Sequence, residues 1–210
     1  MRIKIWMLLC VFSAISAFAQ DMKSVFVSMP DSILPLLTKV NKEDCVDFLA
    51  CDMKAEVKNR FGRTTELKVL TDEYLFLQTT PNSSMELRLF PVNDSTKVIC
   101  MVKTVCASAC DSEVHFYTSD WTQKLLTTDF LSKPVGDAFY LQPDSTDEEY
   151  ALIRKEANVH LMKAALSKED VSLTFIYTTP DYLSKESREK LALYLRKEPI
   201  VLRWQEGKFR

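Results

Sequence analysis

The residues of this chain whose types and spacing could do chemistry are few: six cysteines, two histidines and a run of acids around Asp147. Cys106-Ala107-Ser108-Ala109-Cys110 places three residues between two thiols. In an oxidising compartment this reads as a small disulfide loop closing a turn, the alternative being two turn thiols that stay reduced. Redox catalysis fits less well, because a thioredoxin-type pair has two intervening residues and a helix N-terminus to lower a thiol pKa. His115 shares a strand face with Tyr117 and alternates with Val114 and Phe116. A general base needs a nucleophile within reach, and no Gly-x-Ser-x-Gly elbow occurs. His115 therefore reads as a solvated or partner-facing side chain. His160 falls on the apolar stripe of an expected helix and reads as a satisfied core residue. Asp144, Asp147, Glu148 and Glu149 lack the calcium-loop pattern and its glycine, and acids at a helix start are expected from the helix dipole. No catalytic, cofactor-binding or metal-binding residue is nominated.

Periodicity gives the elements that would position these groups. Asn41 can cap a helix carrying Val46, Leu49, Met53 and Val57 on one face. That helix would hold Cys45 and Cys51 roughly 9 Å apart, too far to bridge. A shorter helix is expected over Ser32–Val40. From Thr65 the period drops to two, with strands at 65–70, 74–79, 85–90, 97–105 and 113–118 and breaks at Pro81-Asn82-Ser83 and Pro91-Val92-Asn93-Asp94. Short connections make this an antiparallel meander. The strand at 97–105 is apolar on both faces and reads as central, covered on both sides. Residues 119–144 keep no period and either pack over the sheet or form a lid. A helix capped by Ser145-x-x-Glu148 or Thr146-x-x-Glu149 carries Tyr150, Ile153, Ala157, His160/Leu161 and Ala164. A strand at 171–177, a helix at 184–196 and a strand at 200–205 complete the chain.

The first nineteen residues give an address. Arg2 and Lys4 precede an apolar run, and Ala17-Phe18-Ala19 is a small-x-small cleavage site before Gln20. This is a secretory signal peptide, too short for a membrane span. Residues 20–210 are read as one mature α+β domain, periplasmic or secreted and not an integral membrane protein. Loss of Arg2 and Lys4 takes the formal charge from −2 to −4, with no basic footprint for nucleic acid. Three glycines leave little scope for phosphate-cradling loops. Five cysteines remain, so at least one is free or bridges to a partner.

Ser28-Met29-Pro30-Asp31-Ser32, Leu36-Leu37-Thr38-Lys39-Val40-Asn41, Met53-Lys54-Ala55-Glu56-Val57, Asn93-Asp94-Ser95-Thr96-Lys97-Val98-Ile99-Cys100 and Phe116-Tyr117-Thr118-Ser119-Asp120-Trp121 carry a resemblance. Over residues 21–121 the chain resembles an uncharacterised family of secreted Bacteroidales proteins. The resemblance implies a Gram-negative envelope or medium and no known catalytic residue. It also implies O-glycan attachment at Ser32, Ser95 and Ser145, each in an Asp-Ser/Thr context.

The expected architecture is α+β: an antiparallel meander with N-terminal helices and two later helices packed on the sheet. Tyr74, Phe76, Phe90, His115 and Tyr117 are expected on its outer face as an aromatic binding surface. The function expected is a non-enzymatic binding or interaction protein of the envelope, with no cofactor and a protein, peptide, glycan or lipid as partner. A structural envelope subunit, a lipid or lipoprotein carrier, and a hydrolase with a dispersed site are the alternatives.

Overall fold

A computed structural model of the chain describes residues 21–134, 136–142 and 144–210; the signal peptide expected over residues 1–19 lies outside the described residues. Two helices come first, α1 (Met22–Ser28) and α2 (Lys39–Ala50). Seven strands follow: β1 (Glu56–Lys58), β2 (Thr64–Leu70), β3 (Tyr74–Thr80), β4 (Ser83–Pro91), β5 (Lys97–Cys106), β6 (Cys110–Thr118) and β7 (Lys124–Leu125). They pair in chain order into one antiparallel sheet. After α3 (Thr127–Phe130), a 3-10 turn at Gly136–Phe139 and α4 (Glu148–Glu156) come β8 (Met162–Leu166) and β9 (Ser172–Tyr177). Then α5 (Thr179–Tyr182) and α6 (Lys185–Ala192) lead to β10 (Ile200–Gln205) and β11 (Lys208–Phe209). These last four strands form a second antiparallel sheet, in the order β11-β10-β9-β8.

The α+β class and the meander stand as the sequence pattern indicated. The late strands, however, build their own sheet, which covers part of the first. The first sheet is therefore buried on both faces, as the two-sided apolar pattern of β5 requires. Leu67, Leu75, Leu77, Met85, Leu87, Ile99 and Met101 meet Val25, Phe26 and Cys45 on the helical side. Phe90, Val98, Cys100, Val102 and Phe116 meet Ala164, Leu173, Phe175 and Trp204 between the sheets.

Several helix boundaries differ from expectation. The cap of α2 is Thr38, whose hydroxyl takes the Asn41 amide while Asn41 Oδ1 takes the Thr38 amide. The helix stops at Ala50, and Asp52 turns the chain at a φ of 55°. Met53 is consequently exposed and Val57 belongs to β1, so the expected apolar stripe is split between two elements. No separate helix forms over Ser32–Val40; residues 31–33 and 35–36 are turns, Lys39 and Val40 already belong to α2, and α1 lies earlier. Residues expected at the end of the 148–164 helix instead form β8, and His160 is an exposed loop residue, not a core one. The stretch after β6 packs down. Trp121, Leu131 and Phe139 are buried, and the Trp121 indole donates to the Val25 carbonyl at 2.8 Å.

Candidate functional site

Strand register decides which side chains share a surface. Tyr74 pairs with Arg88, Arg88 with Cys100 and Cys100 with Phe116, so Phe116 and not His115 shares a face with Tyr74. The expected aromatic surface is therefore not one surface. Tyr74 and Phe90 are buried between the sheets, with Phe76 partly buried beside them. Tyr117 is on the opposite face in the helical core, 5.2 Å from the Trp121 ring. His115 is half-buried on that face, with Glu113 Oε2 at 3.1 Å. A one-residue change of parity moves every side chain to the other face, which is why the five cannot act together.

The two sheets meet in a polar seam. Outward amides of β8 would be unpaired, because β8 is the edge of its sheet. Side chains of the first sheet take them instead: Met162 N–H donates to Asp111 Oδ1 at 3.1 Å, Ala164 N–H to Ser112 Oγ at 2.9 Å and Leu166 N–H to Glu86 Oε2 at 2.8 Å. The edge of β6 is closed in the same manner. Thr178, Lys133 and Thr127 donate to the carbonyls of Cys110, Ser112 and Val114. Edges capped by side chains cannot recruit a further strand.

Glu86 is the chemically unusual member. Burial pushes its carboxyl up to about 7, while the Leu166 amide, the Tyr74 hydroxyl at 3.3 Å and the charge of Lys163 pull the other way. Beside it, Arg88 donates to the carbonyls of Ser167 and Lys168 at 2.6 and 3.1 Å. Arg88 Nε finds no acceptor among the described residues. Burial holds the Cys100 thiol well above its ordinary range, so it is inert as a nucleophile. Neither Glu86 nor Arg88 was singled out from the sequence. The two-sided apolar pattern of β5 was the available signal, since covering both faces of β5 also buries the polar side of β4.

Because the second sheet covers only part of the first, a groove of about 230 Å3 remains where they meet. Phe76, Gln78, Ser84, Glu86 and Thr104 form its floor, and Lys163 and Ala165 of β8 its wall. Above the wall, Ala165, Thr174 and Val201 form one cross-strand row, and Lys163 and Ile176 another. The disulfide Cys106–Cys110 closes the β5–β6 hairpin at one end of this groove. Cys45, Cys51 and Cys100 are free, Cys51 being exposed.

A second titratable cluster lies farther along. His160 Nδ1 is 3.2 Å from the Tyr177 hydroxyl, itself 3.4 Å from that of Tyr140. Arg154 stacks 4.1 Å over the Tyr140 ring and is bound by Tyr150 and Asp137. A side chain at Gly136 would meet His160 Nδ1 at 2.3 Å, so only glycine admits this approach. These contacts tie the 3-10 turn, α4 and β9 together. Among the described residues no group of His, Cys, Asp and Glu could hold a metal, and no helix is long and apolar enough to cross a membrane. Ser32 and Ser95 are exposed in turns and Ser145 is half-buried before α4.

The comparisons with known proteins agree with one another. A family model described as protein of unknown function (DUF3256) matches residues 14–209, so the likeness extends well beyond residue 121. A solved structure, that of a domain of an uncharacterized protein from Porphyromonas gingivalis W83, superposes with a TM-score of 0.80 at 28% identity. The match covers 90% of this chain and 96% of that one. The neighbour comes from a Bacteroidales organism, in keeping with the resemblance read from the sequence. No curated protein matches.

Proposed function

Starting from the fact that this chain belongs to the DUF3256 family of proteins of unknown function, we propose that it is an exported, non-enzymatic binding protein of the bacterial cell envelope. Its contact surface is the outer face of the second sheet together with the groove beneath it. One observation carries this reading: Ile176 and Val201 are 44% and 48% exposed on the outer face of the second sheet, beside a groove floored by Phe76. Adjoining aliphatic side chains left wet on a flat face suit the apolar side chains of a protein or peptide partner.

The seam argues against an enzyme. Glu86, Asp111 and Ser112 are the polar groups best placed for chemistry, and all three are engaged by the amides of β8. The signal-peptide pattern of residues 1–19 supports export, and a hairpin disulfide is at home in an oxidising compartment. The direct test is photo-crosslinking in the native host from a reactive residue at Val201, with Phe61, exposed on a different part of the molecule, as control. A partner captured from Val201 and not from Phe61 supports the surface; equal capture from both contradicts it.

A further inference from the structure

The largest cleft among those described lies away from the seam and the groove, between residues 138–141 and 192–198. It encloses about 740 Å3, within the range of small-molecule sites. Its two walls are joined by backbone: Leu141 N–H donates to the Tyr194 carbonyl at 2.8 Å and Arg196 N–H to the Phe139 carbonyl at 2.9 Å. Leu141 and Leu193 stand on opposite walls, 63% and 76% exposed, with Tyr140 buried and Leu195 half-buried between them. Arg196 and Lys197 line the same cleft and form no ion pair among the described residues.

From this arrangement we propose that the cleft binds an anionic amphiphile: an aliphatic chain ending in a carboxylate, as in a long-chain fatty acid. Three features select that chemistry. Ala138, Leu141, Ala192, Leu193 and Leu195 give part of the lining an aliphatic character, which suits an acyl chain. Arg196 presents a planar fork that matches a carboxylate, and Lys197 adds a second positive charge beside it. The backbone groups joining the walls are already paired with each other, so an extended peptide would find no ladder to extend there. Glu198 is also in the lining, so the three charged side chains there leave the cleft with one net positive charge. This site is independent of the sheet-face reading.

The experiment is calorimetric titration of the purified protein with decanoate and, separately, with decyltrimethylammonium, both below their micellar concentrations. The two probes share a tail and differ in the sign of the head. Decanoate should bind one to one and at least tenfold more tightly than the cation. The double variant Arg196→Gln/Lys197→Gln should lose that preference, and Leu193→Asp should lose decanoate binding, while both melt like the parent because all three positions are exposed. Absence of saturable decanoate binding, a stoichiometry well above one, or equal affinity in the double variant would each overturn the proposal. Because Val201 and Ile176 lie outside this cleft, Ile176→Asp/Val201→Asp should bind decanoate unchanged, which separates this result from the fate of the sheet-face reading.

Discussion

The carboxylate of Glu86 and the backbone amide of Leu166, 80 residues apart in the chain, meet at 2.8 Å in the interior. That contact closes the edge of one sheet onto the face of another. With its neighbours at Asp111 and Ser112, it replaces the backbone ladder that would otherwise join β8 to the first sheet. The fold thus gains a covered sheet without a closed barrel.

Glu86 makes stability depend on pH in a defined direction. Its folded pKa of about 7 lies above the ordinary 4.5, so the folded protein holds this proton more tightly than the unfolded chain. Its contribution is complete below about pH 4.5 and is lost as pH rises through 7. Glu86→Gln keeps an acceptor for Leu166 and removes the charge. Thermal melts should show the variant and the parent alike near pH 4, with the variant gaining up to about 3 kcal/mol by pH 8.5. A gain at pH 4 that vanishes at 8.5 has the wrong sign and would refute the assignment.

Ser112 serves two partners, accepting from Ala164 N–H and sharing a hydrogen bond with the Thr104 hydroxyl at 2.8 Å. Ser112→Ala leaves both unpaired in the interior and should cost about 1–3 kcal/mol in denaturant melts. Adding Thr104→Val removes one orphan, so the double variant should be less unstable than the two single losses added together. Strict additivity would show that the two hydroxyls do not act as a unit.

Gly136 and His160 make a similar pair. Gly136→Ala drives a methyl into the imidazole and should cost about 1–3 kcal/mol unless the ring swings away from Tyr177. His160→Ala in the same chain should recover most of the loss. Failure of that rescue would mean the glycine is needed for its backbone instead.

The Cys106–Cys110 loop is short, so opening it frees little chain. Cys106→Ser/Cys110→Ser should fold and lose no more than about 2 kcal/mol, because the hairpin register Cys106↔Cys110 also rests on the long β5–β6 ladder. Complete unfolding of that variant would show that the ladder alone does not hold the hairpin.

What the sequence made legible was what local chemistry determines. Alternation from Thr65 to Thr118, punctuated by Pro81-Asn82-Ser83 and Pro91-Val92-Asn93-Asp94, marks five strands within a residue or a few of their observed limits. The cap at the start of α2 is Thr38 and not Asn41, because the reciprocal bonds between the two place Asn41 at the third helical position. β8 was not legible. Met162-Lys163-Ala164-Ala165-Leu166 has no β-branched residue and continues the helical stripe of Tyr150 and Ile153. It is a strand because β9 pairs with it and because Glu86, Asp111 and Ser112, 51 to 80 residues away, receive its amides. The binding surface was misplaced for a related reason. Parity within β3 and β6 is clear from each strand, but the register linking Tyr74 through Arg88 and Cys100 to Phe116 is a tertiary property. Of the five aromatic and histidine positions, Phe76 alone lines the groove.

The measurement closest to the central claim is native mass spectrometry of the protein recovered from its own host's envelope without reductant, parent beside Ile176→Asp/Val201→Asp. The expected result is a chain beginning near Gln20, carrying a discrete bound partner that the double variant lacks. A chain retaining residues 1–19, or the same bound mass on parent and variant, would contradict an exported protein that binds through the face of its second sheet.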